Sequence, residues 1–231
     1  MTTLELLRSP NIPITLYIYS HIMVLAFAYT AVIPVFFFTP IYLGGFGFTP
    51  FQISIFMCIG GLSQALWLLL AFPWLQARIG TKGVMKACGT AYPFFFALLP
   101  VGNIVLRHGL KVVFWTITPV GIVLGSGVSM SFTAILLVLN DVSPSPAVLG
   151  TLNALALTLA SGIRAFSPGL FASLFAASVR SGVLDGHLIW VLMVAIAAGF
   201  SVAAHFTPED KTEDGVKNSD GGTEEGDQSG A

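Results

Sequence analysis

The sequence predicts an all-α integral membrane protein: a bundle of six transmembrane helices followed by a disordered acidic tail. Three observations carry this reading. The 231 residues are 55% hydrophobic and only 9% charged, against about 45–50% and about 25% in soluble domains. Six apolar runs reach the roughly 20 residues that a helix needs to cross a bilayer. The acidic residues are also segregated, with eight of the 11 in 207–231 and only Glu5, Asp141 and Asp185 before them. An ordinary cytosolic enzyme is excluded.

Residues 1–13 are short and mixed in character. The apolar run after them is too long for the roughly 7–15-residue core of a signal peptide, so the first span itself is expected to direct insertion. That span covers 16–43, contains Pro34, and stops at Gly44-Gly45-Phe46-Gly47. Thr49-Pro50 then restarts a helix with proline in its first turn, giving a second span over 51–75. The polar, basic stretch Gln76–Lys86 separates it from a third span over 84–106, which holds Pro93 and Pro100 and closes at Arg107-His108-Gly109. A fourth span over 112–139 carries Pro119 and ends in the turn 140–146, which has two prolines. A fifth span over 147–179 holds Arg164 and Pro168, and a sixth covers 188–206. Prolines inside spanning helices are tolerated because neighbouring groups satisfy the freed carbonyls. The runs lack the short alternating segments of a β-barrel. Beyond Phe206 there is no aromatic residue, and the Gly-, Ser- and acid-rich tail 207–231 lacks the apolar surface to offset ordering entropy.

An even number of spans places both termini on one side. Arg8, Arg78, Lys82, Lys86 and Lys211 on one side outweigh Arg107, Lys111 and Arg180 opposite, and the second-to-third loop holds the strongest cluster. Both termini and the second-to-third loop are therefore expected in the cytoplasm.

Arg164 is the most informative single residue, near the centre of the fifth run. Arginine at a helix centre costs about 2.5–3.5 kcal/mol on insertion scales, so it is expected to face protein or a wet cavity rather than lipid. No Asp or Glu lies inside a span to pair with it. Two readings stay open: a cavity wall contacting substrate, or a structural cation satisfied by carbonyls. Asn153, 11 positions earlier, falls on nearly the same helix face, with Ala160 and Ser167. Gln64 is the deepest polar residue of the second span, a ligand contact or a cross-helix hydrogen bond. Gly121, Gly125, Ser129 and Thr133 make a small-residue stripe for close helix packing. Trp67, Trp74, Trp115 and Trp190 read as interfacial belt residues. Tyr17, Tyr29 and Tyr42 line a cavity only if their faces converge.

Enzymatic chemistry finds no support. Cys58 and Cys88 sit in apolar runs, with no disulfide framework or metal spacing. No Walker or dinucleotide motif is present. Leu124-Gly125-Ser126-Gly127 lacks the first glycine of an intramembrane serine protease site. The expected partners are the lipid bilayer and a small-molecule substrate, with no cofactor, metal or nucleic acid.

The second-to-third loop reads Pro73-Trp74-Leu75-Gln76-Ala77-Arg78-Ile79-Gly80-Thr81-Lys82. It resembles the major facilitator superfamily loop Gly-x-Leu-x-Asp-Arg-x-Gly-Arg/Lys-Arg/Lys, in its second copy, between the family's eighth and ninth helices. Leu75, Arg78, Gly80 and Lys82 match; Pro73, Ala77 and Thr81 depart. Two further stretches, Phe38–Ile53 and Leu149-Gly150-Thr151-Leu152-Asn153 with Arg164-Ala165-Phe166-Ser167-Pro168, are similar to fungal zinc-induced-facilitator-like and multidrug permeases. The resemblance implies helices seven to twelve of a twelve-helix secondary transporter. Residues 1–13 would then be the remnant of a central cytoplasmic loop, and Leu75, Arg78, Gly80 and Lys82 a cytoplasmic gating loop. It further implies alternating access at a midplane site, energy from a proton gradient, and an N-terminal six-helix half or a second copy to complete the pathway. The alternative is a non-transporting, regulatory half-permease or membrane scaffold that pairs with another subunit.

Overall fold

The computed structural model describes residues 3–9, 11–143 and 145–208. The expected acidic tail, apart from Thr207 and Pro208, lies outside the described residues. Among those residues the chain is all helical: α1 (Thr3–Leu7), α2 (Ile12–Phe38), α3 (Pro50–Leu66), α4 (Phe72–Arg107), α5 (Lys111–Gly125), α6 (Met130–Asp141), α7 (Pro146–Ser181) and α8 (Leu188–Ala204).

Helix ends follow local chemistry and depart in places from the apolar runs. The first span begins at Ile12, after Asn11 and with proline in its first turn, not at 16. It stops at Phe38 because Thr39 precedes Pro40 and takes an extended ψ of 134°. Residues 41–43, expected within this span, instead form a separate 3-10 turn. Thr49 caps α3 reciprocally with Gln52: the Thr49 N–H donates to Gln52 Oε1 and the Gln52 N–H to Thr49 Oγ1.

The second-to-third connection is much tighter than the polar stretch Gln76–Lys86 suggests. Helix continues to Ile79 and resumes at Thr81, broken only at Gly80 with φ 68° and ψ 170°. That conformation is essentially confined to glycine. The 58-residue apolar stretch Pro50–Arg107 thus folds back there as two crossings. Lys111–Asp141 and Pro146–Ser181 make one crossing each. The 17-residue α8, roughly 25 Å long, is just sufficient for the last.

α2 packs on α7 and α6, while α4 packs on α8, α5 and α6. The core is aromatic: Phe36 meets Phe46 at 4.7 Å and Trp190 at 4.8 Å, and Trp190 is fully buried. Trp190 is therefore a core residue, not a belt residue.

A polar knot ties three connections together at the membrane face opposite the Gly80 turn. Asn103, fully buried near the end of α4, donates from Nδ2 to the Ile41 carbonyl (3.0 Å) and to the Gly45 carbonyl. Its Oδ1 accepts from His187 Nε2 at 3.0 Å. Arg107 donates to the carbonyls of Ile41 (3.1 Å), Tyr42 (3.2 Å) and Asp185 (2.8 Å), and pairs with the Asp185 carboxylate at 3.2 Å. Gly186, at φ 85°, lies so close to the first connection that a Cβ would come within 2.4 Å of the Leu43 carbonyl oxygen.

Candidate functional site

The fourth crossing is not one regular helix. Between α5 and α6 the chain tightens to 3-10 geometry over Ser126–Ser129. Opposite it, α3 runs into a π-helical turn over Trp67–Ala71. The two irregularities are joined at one carbonyl. Val123 O accepts from Trp67 Nε1 at 2.7 Å and from Ser63 Oγ at 2.9 Å, with Ser126 Oγ 2.8 Å away. A carbonyl drawn out of its helical ladder by neighbouring side chains is a recognised cause of a local break. Gly127 lets the indole approach, since a Cβ there would stand 3.0 Å from the Trp67 ring. Trp67 is thus a cross-helix donor rather than the belt residue its position in the run suggested. The sequence signal for it was Gly125-Ser126-Gly127 interrupting an apolar run, which does not name its partner.

Beside this junction lies a cavity of about 310 Å³, bounded by α2, α3, α4 and the α5–α6 break. Tyr29, Phe95 and Phe96 form its aromatic wall, with ring centroids of Tyr29 and Phe95 5.3 Å apart. Gln64, Ser129 and Thr133 add polar groups to the lining. Tyr92, also at the wall, shares a hydrogen bond with Ser131 at 3.2 Å.

The residues singled out from sequence distribute as follows. Gln64 and Ser129 meet at this cavity. Gly121 and Gly125 instead lie against α4, where a Cβ would come within 2.3 Å of Leu98 and 2.2 Å of the Phe95 ring. The small-residue stripe therefore serves packing at one end and the cavity at the other. Tyr29 joins the cavity, whereas Tyr17 and Tyr42 are exposed. Asn153 and Arg164 are on the exposed side of α7 and do not line the cavity. The Arg164 guanidinium stands 5.8 Å from the Phe27 ring centroid. Ser167 is buried, so the stripe from Asn153 to Ser167 divides between two environments. At the turn between crossings, Arg78 stacks over Trp74 at 4.5 Å, Leu75 is half-buried, and Gln76 donates to Thr81 at 3.2 Å. Lys82 occupies the first helical turn after Gly80.

An all-helical, multi-pass membrane chain with a cavity between its helices defines the class: an integral membrane protein. Comparison with known proteins narrows it. The chain is 40% identical over 208 residues to the efflux pump azaK of Aspergillus niger, covering 90% of this chain and 44% of that protein. It is 27% identical over 207 residues to the major facilitator-type transporter psiT2 of Psilocybe cubensis, covering 84% of this chain and 39% of the relative. The psiT2 of Psilocybe cyanescens is 29% identical over 174 residues. No family model matches, and no solved structure matches. The chain is thus similar to a fungal efflux pump and to fungal major facilitator-type transporters, and spans less than half the length of the curated relatives it matches.

Proposed function

We propose that the chain works as the C-terminal six-helix half of a secondary transporter, moving a small organic solute by alternating access through the cavity at Gln64 and Ser129. The observation that carries this is the alignment of nearly the whole chain with less than half of an efflux pump. In this reading both termini and the Gly80 turn face the cytoplasm, and a proton gradient supplies the energy. Among the crossings the one acidic residue is Asp141, at the very end of α6, so the proton-carrying carboxylate is assigned to the other half.

The docking face for that N-terminal half is the outward side of α3 and α7, the two least buried long helices. Energetics supports this choice for α7. The Phe27 contact offers Arg164 about 0.5–1 kcal/mol, to about 2 when desolvated. Placing arginine against acyl chains costs about 2.5–3.5 kcal/mol. The difference is removed if a hydrated vestibule or a partner anion faces it.

Coexpression with the N-terminal half of the Aspergillus niger efflux pump tests the proposal. The expected result is one-to-one co-purification and extrusion of Nile red from cells, abolished by a protonophore and lowered by Arg164→Ala. Unchanged extrusion in that variant would remove Arg164 from the mechanism. A chain that purifies alone or as a self-dimer, with no extrusion, would overturn the transporter reading.

A further inference from the structure

The wall of the cavity constrains what it accepts. None of its lining residues is Asp, Glu, Lys, Arg or His, so an ion entering it would lose hydration without gaining a counter-charge. Its polar groups are of two kinds. Tyr92 is already bonded to Ser131, Ser126 to the Val123 junction, and Thr30 to the Phe27 carbonyl. By contrast, among the described residues the Tyr29 hydroxyl, the Gln64 amide and the Ser129 and Thr133 hydroxyls have no hydrogen-bond partner. Four unsatisfied groups thus sit on an otherwise apolar, aromatic wall. Gln64 is exposed and the other three are half-buried, so all four are open to bonding by water or by a ligand.

The rings set the shape. Tyr29, Phe95 and Phe96 stand at mutual centroid distances of 5.3 to 6.1 Å, within the range of offset and edge contacts that a further ring can join. The absence of a side chain at Gly125 gives the Phe95 ring the space it occupies against α5. At about 310 Å³ the cavity lies at the lower end of ligand pockets, roughly 300–1,000 Å³, which suits a compact fused-ring molecule better than a chain lipid.

We propose that this cavity binds an uncharged, flat aromatic molecule carrying hydrogen-bonding oxygen or nitrogen atoms, its rings against Tyr29, Phe95 and Phe96 and its polar atoms on Gln64 and Ser129. The proposal rests on the reading of this cavity as the solute site and adds the chemical class of the solute. Gln64 is a positioning and selecting residue here, since its amide serves as both donor and acceptor.

Equilibrium dialysis of the full chain in nanodiscs at neutral pH, with three probes sharing one ring system, tests it: 2-naphthol (neutral), 2-naphthoate (anion) and 2-naphthylmethylammonium (cation). Expected is saturable binding of 2-naphthol at least about tenfold tighter than either ion, a factor that one unsatisfied polar or charged group readily produces. Gln64→Leu and Ser129→Ala should each weaken 2-naphthol about three- to tenfold. Two plugs placed on different helices, Ser129→Phe and Leu68→Trp, should each abolish it, so a folding failure in one leaves the other. If either ion binds as tightly as 2-naphthol and the plugs abolish that binding, the neutral-solute proposal is overturned while the site stands. Absence of saturable binding, or binding indifferent to both plugs, overturns the cavity as the site. Pairing with an N-terminal half and Nile red extrusion are measured separately, so the transporter reading is judged by its own result.

Discussion

Asn103→Leu is the most informative single perturbation of the fold. The side chains are of similar volume, so the change removes polarity and leaves little void. Asn103 is 0% exposed and makes three contacts. Its amide donates to Ile41 O and Gly45 O, and its carbonyl accepts from His187 Nε2. Ile41 O keeps a donor after the substitution, because Arg107 Nε reaches it at 3.1 Å. Gly45 O and His187 Nε2 do not. Two buried groups left unsatisfied at about 1–3 kcal/mol each give an expected loss of about 2–6 kcal/mol. Equilibrium unfolding in mixed detergent micelles, followed by helical circular dichroism, reads this directly. The exposed Asn140→Leu serves as a control near zero. In a double-mutant cycle, His187→Phe removes one of the two orphans, so the pair should fall short of the sum by at least about 1 kcal/mol. A single-variant loss below about 1 kcal/mol, or an additive cycle, refutes the idea that this knot holds the three connections.

Three further outcomes are expected. Gly80→Ala places a Cβ on a backbone at φ 68° and ψ 170°, and thermal unfolding should register about 1–3 kcal/mol of strain; a neutral result would mean that the turn is not held in this conformation. Trp67→Phe deletes one of the donors to Val123 O but leaves Ser63 and Ser126. The loss should therefore be only about 0.5–1.5 kcal/mol, and removing the last two donors as well, with Ser63→Ala and Ser126→Ala, should exceed the sum of the three single changes when unfolding midpoints are compared. His187 lies in the connection before α8, where burial and then the Arg107 charge hold its pKa below the usual 6.5, against the opposing pull of the Asp185 carboxylate and the Leu184 carbonyl. The unfolded chain binds the proton more readily, so this contribution is complete above pH 6.5 and is lost as pH falls through 6.5 toward the lower folded value. Unfolding midpoints taken from about pH 8 to about pH 5 should decline over that window and flatten in His187→Gln.

The all-helical fold was legible because each crossing is a property of its own run. Apolar length, the Thr49-Pro50 cap and the Gly44-Gly45 interruption are local signals. The tightness of the Gly80 turn was less visible. Basic and polar residues from Gln76 to Lys86 look like a loop in sequence, yet they continue the helices on either side of Gly80. At the candidate site, Gln64 stood out as an amide deep in an apolar run, but its neighbours did not. Tyr29, Phe95 and Ser129 come from three other parts of the chain, and only packing decides which of many aromatic and small residues converge. The Val123 junction was invisible for the same reason: its acceptor is a backbone carbonyl, which no residue type announces, and its indole donor is separated from it by 56 positions. Arg107 looked like a loop charge relevant to orientation, whereas its guanidinium binds three carbonyls of two other connections.

The two sides of the bundle differ in what they ask of their surroundings, and this links the cavity to the proposed pairing. The outward side of α3 and of the π-helical turn that follows it carries Leu62, Leu66, Leu69 and Leu70, all exposed, which lipid or protein satisfies equally. The outward side of α7 carries Asn153, Thr158 and Arg164, which lipid does not. Gln64 belongs to α3 and is exposed as well as being part of the cavity wall, so the cavity opens on the α3 side. A partner laid across α3 and α7 would therefore close the cavity mouth and cover the guanidinium in one docking event. On this view Arg164 lies outside the binding wall because its work is at the seam between halves. Closing the mouth at Gln64 and seating a counter-charge against Arg164 are then two consequences of the same contact, so substitutions at Gln64 should alter ligand affinity and substitutions at Arg164 should alter association.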